Sequence, residues 1–131
     1  MLRSLTVKDY MSENVVTFTP NTNVLDAARL LVERRISGAP VLDKHGNVVG
    51  VLSEKDCLQI LLRAAYFEEA GGKVSEYMTR GVKTVNMDDS IVDVAKLFVD
   101  EGVKRYPVMR DNVLVGQISR GDVLRALETI W

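Results

Sequence analysis

The chain has 131 residues, enough for one domain with a substantial core. Its formal net charge is -1, which argues against nucleic acid as a main partner because a face that binds nucleic acid is strongly basic. A single cysteine excludes an intramolecular disulfide, and no stretch is apolar and long enough to span a membrane. We therefore expect a cytoplasmic protein without membrane contact.

The chain begins with a pattern of short elements. Val7–Met11 predicts a helical turn, and the β-branched, apolar segment Val15–Thr17 predicts a strand. Thr19–Asn23 supplies turn and helix-capping residues. Val24–Arg35 then predicts a helix. Its apolar stripe is wider than a helix needs to cover one face of a sheet.

A hairpin and a second helix follow. The short apolar runs Ala39–Leu42 and Val48–Leu52 predict two strands joined by a polar turn. A helix is predicted to begin after Ser53 and to run through Leu62 to Ala65 or beyond.

The second half of the chain repeats this order of elements. The matching segments are Val74–Met78, Ile91–Glu101, Arg105–Met109, Val113–Ile118 and a helix that begins after Ser119 and ends near Thr129. The alignment is continuous until the hairpin, where the second copy lacks one residue. Such self-similarity indicates an internal repeat. We therefore expect an α/β (α+β) domain of two β-α-β-β-α repeats related by a pseudo-two-fold axis.

Two short motifs recur in the repeats and resemble a known family. Ala39-Pro40-Val41 returns as Tyr106-Pro107-Val108, and Gly-x-x-Ser-x-x-Asp occurs at Gly50–Asp56 and at Gly116–Asp122. With the order of elements, these motifs resemble a tandem pair of CBS domains, named for cystathionine β-synthase and called a Bateman module. The resemblance covers Val7 to Leu127. It implies a stand-alone pair, with motif 1 at 1–65, a linker at 66–73 and motif 2 at 74–131.

The Ser-x-x-Asp segments have two compatible interpretations. Ser53 with Asp56, and Ser119 with Asp122, have the spacing of a helix capping box. A helix N-terminus also presents free N–H groups and a positive dipole end to an anion. In the family this Asp is the ribose ligand and the Ser lies near the phosphates, and both roles carry over by position.

The resemblance also implies two pockets between the repeats, each completed by the other copy. The Asp56 pocket is expected to comprise Ser53, Asp56, Val82, Lys83, Thr84, Val103, Lys104, Arg105 and Pro107. The Asp122 pocket is expected to comprise Ile118, Ser119, Arg120, Asp122, Val15, Val16, Thr17, Ile36, Ser37, Gly38, Ala39 and Pro40. Apolar side chains at these positions would pack against a purine, and backbone groups would form hydrogen bonds with its edge.

The two predicted pockets differ in charge. Lys104-Arg105 is either a solvated strand edge or the basic pair that many nucleotide-binding members place against phosphates. The aligned positions, Ser37-Gly38, are small and uncharged. Arg120 is either a phosphate contact or a solvent-facing residue of the first helical turn.

The predicted function is a regulatory module that binds an adenosine-containing ligand and has no catalytic activity or cofactor. AMP, ADP or ATP is the first ligand class, and S-adenosylmethionine or a related adenosyl compound is the second. The alternative is a ligand-free scaffold or dimerisation module that regulates a partner protein. His45 in a turn gives no metal site or catalytic set, and Cys57 reads as a core residue. The wide apolar stripes predict a homodimer, because soluble monomers seldom expose large apolar surfaces. The resemblance also implies a homodimer, in which four repeats form a flat disc.

Overall fold

The computed structural model describes residues 4–67 and 71–130. The described residues form two compact units. The central unit spans Val16–Val82, and the split unit combines residues 4–15 with residues 83–130. These units do not follow the two sequence repeats, because the short segment that begins each repeat lies in the unit that holds the rest of the other repeat.

The central unit contains three helices and a two-stranded antiparallel sheet. Its elements are α1 (Val24–Arg34), β1 (Gly38–Leu42), β2 (Val48–Ser53), α2 (Glu54–Phe67) and α3 (Val74–Tyr77). These agree with the predicted helices and hairpin, and α2 runs beyond Ala65 as expected. Of the predicted linker 66–73, residues 68–70 lie outside the described residues.

The ends of α1 show why this helix forms where it does. The Asn23 side chain accepts hydrogen bonds from the backbone N–H groups of Leu25 and Asp26, at 2.9 and 3.2 Å. At the other end Arg35 adopts a left-handed conformation with φ 54°, and its N–H group bonds carbonyls of the last turn. The buried face of α1 packs into the core of the central unit, with Val24, Ala27, Ala28 and Leu31.

The strand predicted at Val15–Thr17 is wrong. In its place the chain makes a single parallel bridge one residue later, between Phe18 and Val41. The Phe18 N–H group donates to the Pro40 carbonyl, and the Phe18 carbonyl accepts from Leu42. The pairing cannot extend, because a turn closed by a hydrogen bond between Thr19 and Thr22 follows at once.

The split unit contains a three-stranded sheet with two helices. Its elements are a 3-10 turn (Val7–Asp9), β3 (Val85–Asn86), α4 (Ile91–Glu101), β4 (Arg105–Arg110), β5 (Val113–Ser119) and α5 (Arg120–Glu128). β4 pairs in parallel with β3 and antiparallel with β5. The hairpin between β4 and β5 closes through Asp111 and Asn112, both at positive φ, as a tight hairpin turn requires. The predicted helices and hairpin strands are confirmed here too.

The segments exchanged between the repeats pair with β2 and β5 in the same way. Thr79 exchanges two backbone hydrogen bonds with Val51, and Ser12 exchanges two with Gln117. Val7 and Val74, which begin the two segments, are fully buried in the cores of the split and central units. In each unit, therefore, the edge of the sheet pairs with the segment that begins the other repeat. Across the described ranges, no helix combines the length and apolar character needed to cross a bilayer.

Candidate functional site

The first candidate group lies where β2 runs into α2. The Ser53 N–H and Oγ–H groups both donate to Asp56 Oδ2 at 2.9 Å, and the Asp56 N–H donates to Ser53 Oγ at 3.1 Å. This is the predicted capping box. Asp56 is only 9% exposed. An ionised carboxylate has about four acceptor positions, so these bonds leave it capacity for a ligand.

The second candidate group repeats this geometry where β5 runs into α5. The Ser119 N–H donates to Asp122 Oδ2 at 2.9 Å, and the Asp122 N–H donates to Ser119 Oγ at 3.2 Å. Here the carboxylate has a further partner, because Arg125 Nη1 donates to Asp122 Oδ1 at 3.1 Å. Arg125 also donates to the Tyr10 carbonyl at 3.2 Å and lies over the Tyr10 ring.

Arg125 makes the two groups unequal in a way that the sequence interpretation missed. Its aligned residue in the first repeat is Gln59, which carries no charge. The spacing of Asp122 and Arg125, three residues apart on one helix, is a signal that could have revealed the pair. The Asp122 carboxylate therefore has a cation at its side that the aligned position near Asp56 cannot supply.

Each unit also places the start of its hairpin beside its own Ser-x-x-Asp group. Gly38 lies opposite Ser53 in the ladder, and the Glu54 N–H donates to the Ser37 carbonyl at 2.9 Å. In the split unit Arg105 lies opposite Ser119, and the Arg120 N–H donates to the Lys104 carbonyl at 3.2 Å. The residues whose backbone lies beside the Ser-x-x-Asp group are therefore Lys104 and Arg105 in the split unit and Ser37 and Gly38 in the central unit.

The remaining predicted site residues divide by exposure. Those that are buried are Ala39, Pro40, Pro107 and Ile118, the last of which packs in the core of the split unit. Those that are exposed or half-buried are Val15, Val16, Thr17, Ile36, Val82, Lys83, Thr84, Val103 and Arg120. Since each predicted pocket draws residues from both units, its assembly stays a prediction.

A carboxylate that the sequence interpretation did not select lies beside these residues. Glu101, the last residue of α4, pairs with Lys83 through Oε1 and accepts the Tyr106 hydroxyl at Oε2, at 3.2 Å. The hydrogen bond from Lys83 holds the pKa of Glu101 below its usual range, and burial beside Glu101 raises the pKa of Tyr106 to about 12. The ion pair of Glu101 with Lys83 therefore stabilises the folded state above the ordinary glutamate pKa of 4.5. This contribution is lost as the pH falls through the lowered pKa of Glu101.

Other reactive groups fit structural roles. Cys57 is buried in the core of the central unit, and burial, followed by the nearby Asp56 and Glu54 charges, raises the pKa of its thiol to about 11. Cys57 is therefore a packed thiol, as the sequence predicted. No cluster of three or more His, Cys, Asp or Glu side chains that could hold a metal ion occurs among residues 4–67 and 71–130.

The geometry and the sequence together define the class of protein: the chain belongs to the CBS domain family. The family model for the CBS domain matches residues 7–63 and again residues 74–129. Among curated relatives, the uncharacterized protein MJ1426 of Methanocaldococcus jannaschii is 33% identical, over 92% of this chain and 90% of its own length. MJ1225 of the same organism is 28% identical over 95% of this chain, which spans only 44% of that relative.

Solved structures of CBS pairs superimpose on the chain over nearly its whole length. CBSX2 of Arabidopsis thaliana, solved in complex with AMP, is 33% identical with a TM-score of 0.82, over 96% of this chain and 98% of that one. The CBS domain pair of protein MJ0100, solved with 5'-methylthioadenosine and S-adenosyl-L-methionine, is 28% identical with a TM-score of 0.80, over 95% and 96%. The chain is therefore similar to two CBS pairs that bind adenosine-containing ligands.

Proposed function

We propose that this CBS pair is a regulatory module that binds an adenosine-containing ligand and carries out no catalysis. The observation that carries the proposal is the paired Ser-x-x-Asp geometry. Both repeats place an aspartate at the third position of a helix, directly after a strand, with its backbone environment fixed by a capping box. Asp56 and Asp122 would accept the ribose hydroxyls, and the helix N-termini favour a phosphate nearby.

The proposed pockets follow the family resemblance. The residues that would complete the Asp56 pocket are Val82, Lys83, Thr84, Val103, Lys104, Arg105 and Pro107. Those that would complete the Asp122 pocket are Val15, Val16, Thr17, Ile36, Ser37, Gly38, Ala39 and Pro40. AMP is the first candidate ligand because the CBSX2 structure contains it, and ADP and ATP share its recognition groups. S-adenosylmethionine and 5'-methylthioadenosine come second, on the evidence of the MJ0100 pair.

A thermal-shift screen tests the ligand class. The compounds are AMP, ADP, ATP, S-adenosylmethionine and 5'-methylthioadenosine, with guanosine equivalents as controls. A ligand present at about 100 times its Kd stabilises the native state by roughly 2.7 kcal/mol, which corresponds to several degrees in Tm. We expect at least one adenosyl compound to raise the Tm and its guanosine counterpart to raise it less.

The screen also decides between the proposal and its alternative. If no nucleoside compound moves the Tm, the module would instead be a scaffold or dimerisation domain that acts on a partner protein. Equal shifts with adenosine and guanosine compounds would contradict adenine recognition while leaving a nucleotide site in place.

We further propose that the chain functions as a homodimer. Apolar side chains are exposed along both helix pairs, and each pair has an open groove. The groove beside α1 and α2 measures about 350 Å³ and is lined by Val32, Leu58 and Leu61. The groove beside α4 and α5 measures about 430 Å³ and is lined by Val99 and Leu124. A second copy of the chain would cover these faces, which soluble monomers seldom leave exposed.

Replacement of Leu58 by glutamate should shift the protein toward monomer. Leu58 is 61% exposed on α2, so the change costs little in the monomer but places a charge in the proposed interface. The dissociation constant should rise at least about tenfold, because burying one leucine contributes about 1.5–3 kcal/mol. Light scattering over a concentration series measures the mass.

The matched control is Val113→Glu, because Val113 is 58% exposed at the β4–β5 hairpin and lines neither groove. The control should keep the dimer mass. A monomer mass for the unmodified protein at micromolar concentration would contradict the dimer.

A further inference from the structure

We propose that Glu101 is a positioning residue that holds together the two segments of the split unit assigned to the Asp56 pocket. These segments are Lys83–Thr84, which precede β3, and Val103–Pro107, which lead into and form the start of β4. The inference rests on the proposed function, because it concerns the surface on which the ligand would lie. Glu101 belongs neither to the two short motifs that recur in the repeats nor to the predicted site residues.

The two oxygens of the Glu101 carboxylate have different partners. Oε1 pairs with the Lys83 ammonium, and Oε2 accepts the Tyr106 hydroxyl at 3.2 Å. The Glu101 side chain is 24% exposed and the Lys83 side chain 63% exposed, so water screens the ion pair with Lys83 more than the hydrogen bond from the buried Tyr106. One side chain thus links the segment before β3 to the first residues of β4, at the point where α4 ends.

Tyr106 gives this link a rigid anchor. Its side chain is 1% exposed, and its ring packs against Phe98 with centroids 4.7 Å apart and planes tilted by 46°. A buried hydroxyl needs a hydrogen-bond partner, and Glu101 supplies it. The Glu101 carboxylate is therefore fixed relative to the core of the split unit, and Lys83 is drawn toward that fixed point.

The ion pair with Glu101 determines what Lys83 contributes to the Asp56 pocket. Its charge is compensated by Glu101, so its ammonium serves to hold the backbone of residues 83–84 in place. If Lys83 instead bound the phosphate of AMP, substitutions of Glu101 and Lys83 would have opposite effects on AMP affinity. Removing Glu101 would then strengthen AMP binding and removing Lys83 would weaken it, whereas loss of positioning weakens AMP and adenosine alike in both variants.

The first repeat cannot form this network and provides an internal control. The residues aligned with Lys83, Glu101 and Tyr106 are Val16, Arg34 and Ala39, which include no carboxylate and no phenol. The effect of Glu101 should therefore be larger in the Asp56 pocket, because the Asp122 group contacts the Lys104 and Arg105 backbone but none of its bonds involves the Glu101 side chain. A general loss of stability would affect both pockets.

The binding experiment uses the full chain with one pocket disabled at a time. Asp122→Ala leaves the Asp56 pocket, and calorimetric titration with AMP and with adenosine is compared for Asp122→Ala alone and combined with Glu101→Gln or Lys83→Met. We expect both combinations to lower the affinity for both ligands by roughly three- to tenfold, the effect of one hydrogen-bonded link. Glutamine keeps an acceptor for Tyr106, so the variant should fold. In the Asp56→Ala background, Glu101→Gln should change affinity less than about twofold.

A second readout needs no ligand. Amide hydrogen exchange in Glu101→Gln should become faster at residues 83–85 and at residues 103–106 together, because the link between them is lost. Unchanged exchange in either segment would overturn the proposal. So would unchanged affinity in the Asp56 pocket, equal losses in both pockets, or opposite effects of Glu101→Gln and Lys83→Met on AMP binding. If the unmodified protein binds no adenosyl compound, the proposed function fails, and the exchange result alone decides whether Glu101 holds the two segments.

Discussion

Replacing Asp56 or Asp122 by alanine is expected to lower ligand affinity at the altered pocket by roughly ten- to a hundredfold. A hydrogen bond to an ionised carboxylate contributes about 1.5–3 kcal/mol, and each aspartate would accept the hydroxyls of one ribose. Each single variant should keep one functional pocket. Calorimetric titration of both single variants and the double variant, beside the unmodified protein, measures the loss.

The same residues cap α2 and α5, so stability must be measured in parallel. Loss of a capping side chain costs about 1 kcal/mol, and a chemical denaturation curve reports it. The matched control is asparagine at each position, which keeps an oxygen acceptor for the Ser53 or Ser119 N–H but removes the negative charge. We expect Asp56→Asn to lose affinity with a smaller loss of stability than Asp56→Ala. Reduced stability with unchanged affinity in the alanine variants would mean that these carboxylates only cap helices.

Asp122 has one additional partner whose loss should have little effect on stability. The Arg125 side chain that pairs with it is 58% exposed, and exposed ion pairs contribute about 0–1 kcal/mol. A stability cost of Asp122→Ala that exceeds that of Asp56→Ala by more than about 1 kcal/mol would therefore mean that Asp122 also holds Arg125 in its contact with Tyr10.

Replacing Gly50 or Gly116 by alanine is expected to destabilise the fold by about 1–3 kcal/mol, the usual cost of overpacking. A Cβ atom on Gly50 would lie 2.9 Å from the Thr79 carbonyl oxygen, and on Gly116 it would lie 2.6 Å from that of Ser12. These oxygens belong to backbone that is fixed by paired hydrogen bonds to β2 and β5, so they cannot move away freely. Thermal unfolding should show a Tm several degrees lower for each variant.

The control for this prediction is Gly121→Ala in the first turn of α5. Its added Cβ would meet only Ser119 Oγ, at 3.7 Å, an ordinary contact. Alanine there should leave stability unchanged or raise it by about 0.5–1 kcal/mol, because glycine is a poor helix residue. Unfolding of Gly50→Ala at the temperature of the unmodified protein would show that the segment packed on β2 can shift at no cost.

The sequence was sufficient to predict the helices and hairpins but not the exchange of the segments that begin the repeats. The helices and hairpins follow from local sequence patterns, such as the Asn23 cap before α1 and the Asp111–Asn112 turn. The exchange could not be predicted because the two segments have nearly the same pattern, with Val7 and Met11 matching Val74 and Met78. Either segment therefore fits either repeat, and only tertiary contacts decide between them.

The candidate site was likewise predictable in part. Both Ser-x-x-Asp groups form the capping boxes that their spacing predicted, because a capping box is a contact within one turn. The Asp122–Arg125 pair was visible in principle as a helical spacing of three residues. The Lys83–Glu101–Tyr106 network was not, since Lys83 and Glu101 are 18 residues apart and meet only through the packing of α4 against the sheet.

The most direct test of the central claim is a calorimetric comparison of AMP with its 2'-deoxy analogue on the unmodified protein. The two compounds differ by one ribose hydroxyl, which would donate to the carboxylates of Asp56 and Asp122. We predict that AMP binds and that the deoxy compound binds at least about tenfold more weakly, because a charge-assisted hydrogen bond is lost. Equal affinity for the two compounds would contradict ribose recognition by these aspartates.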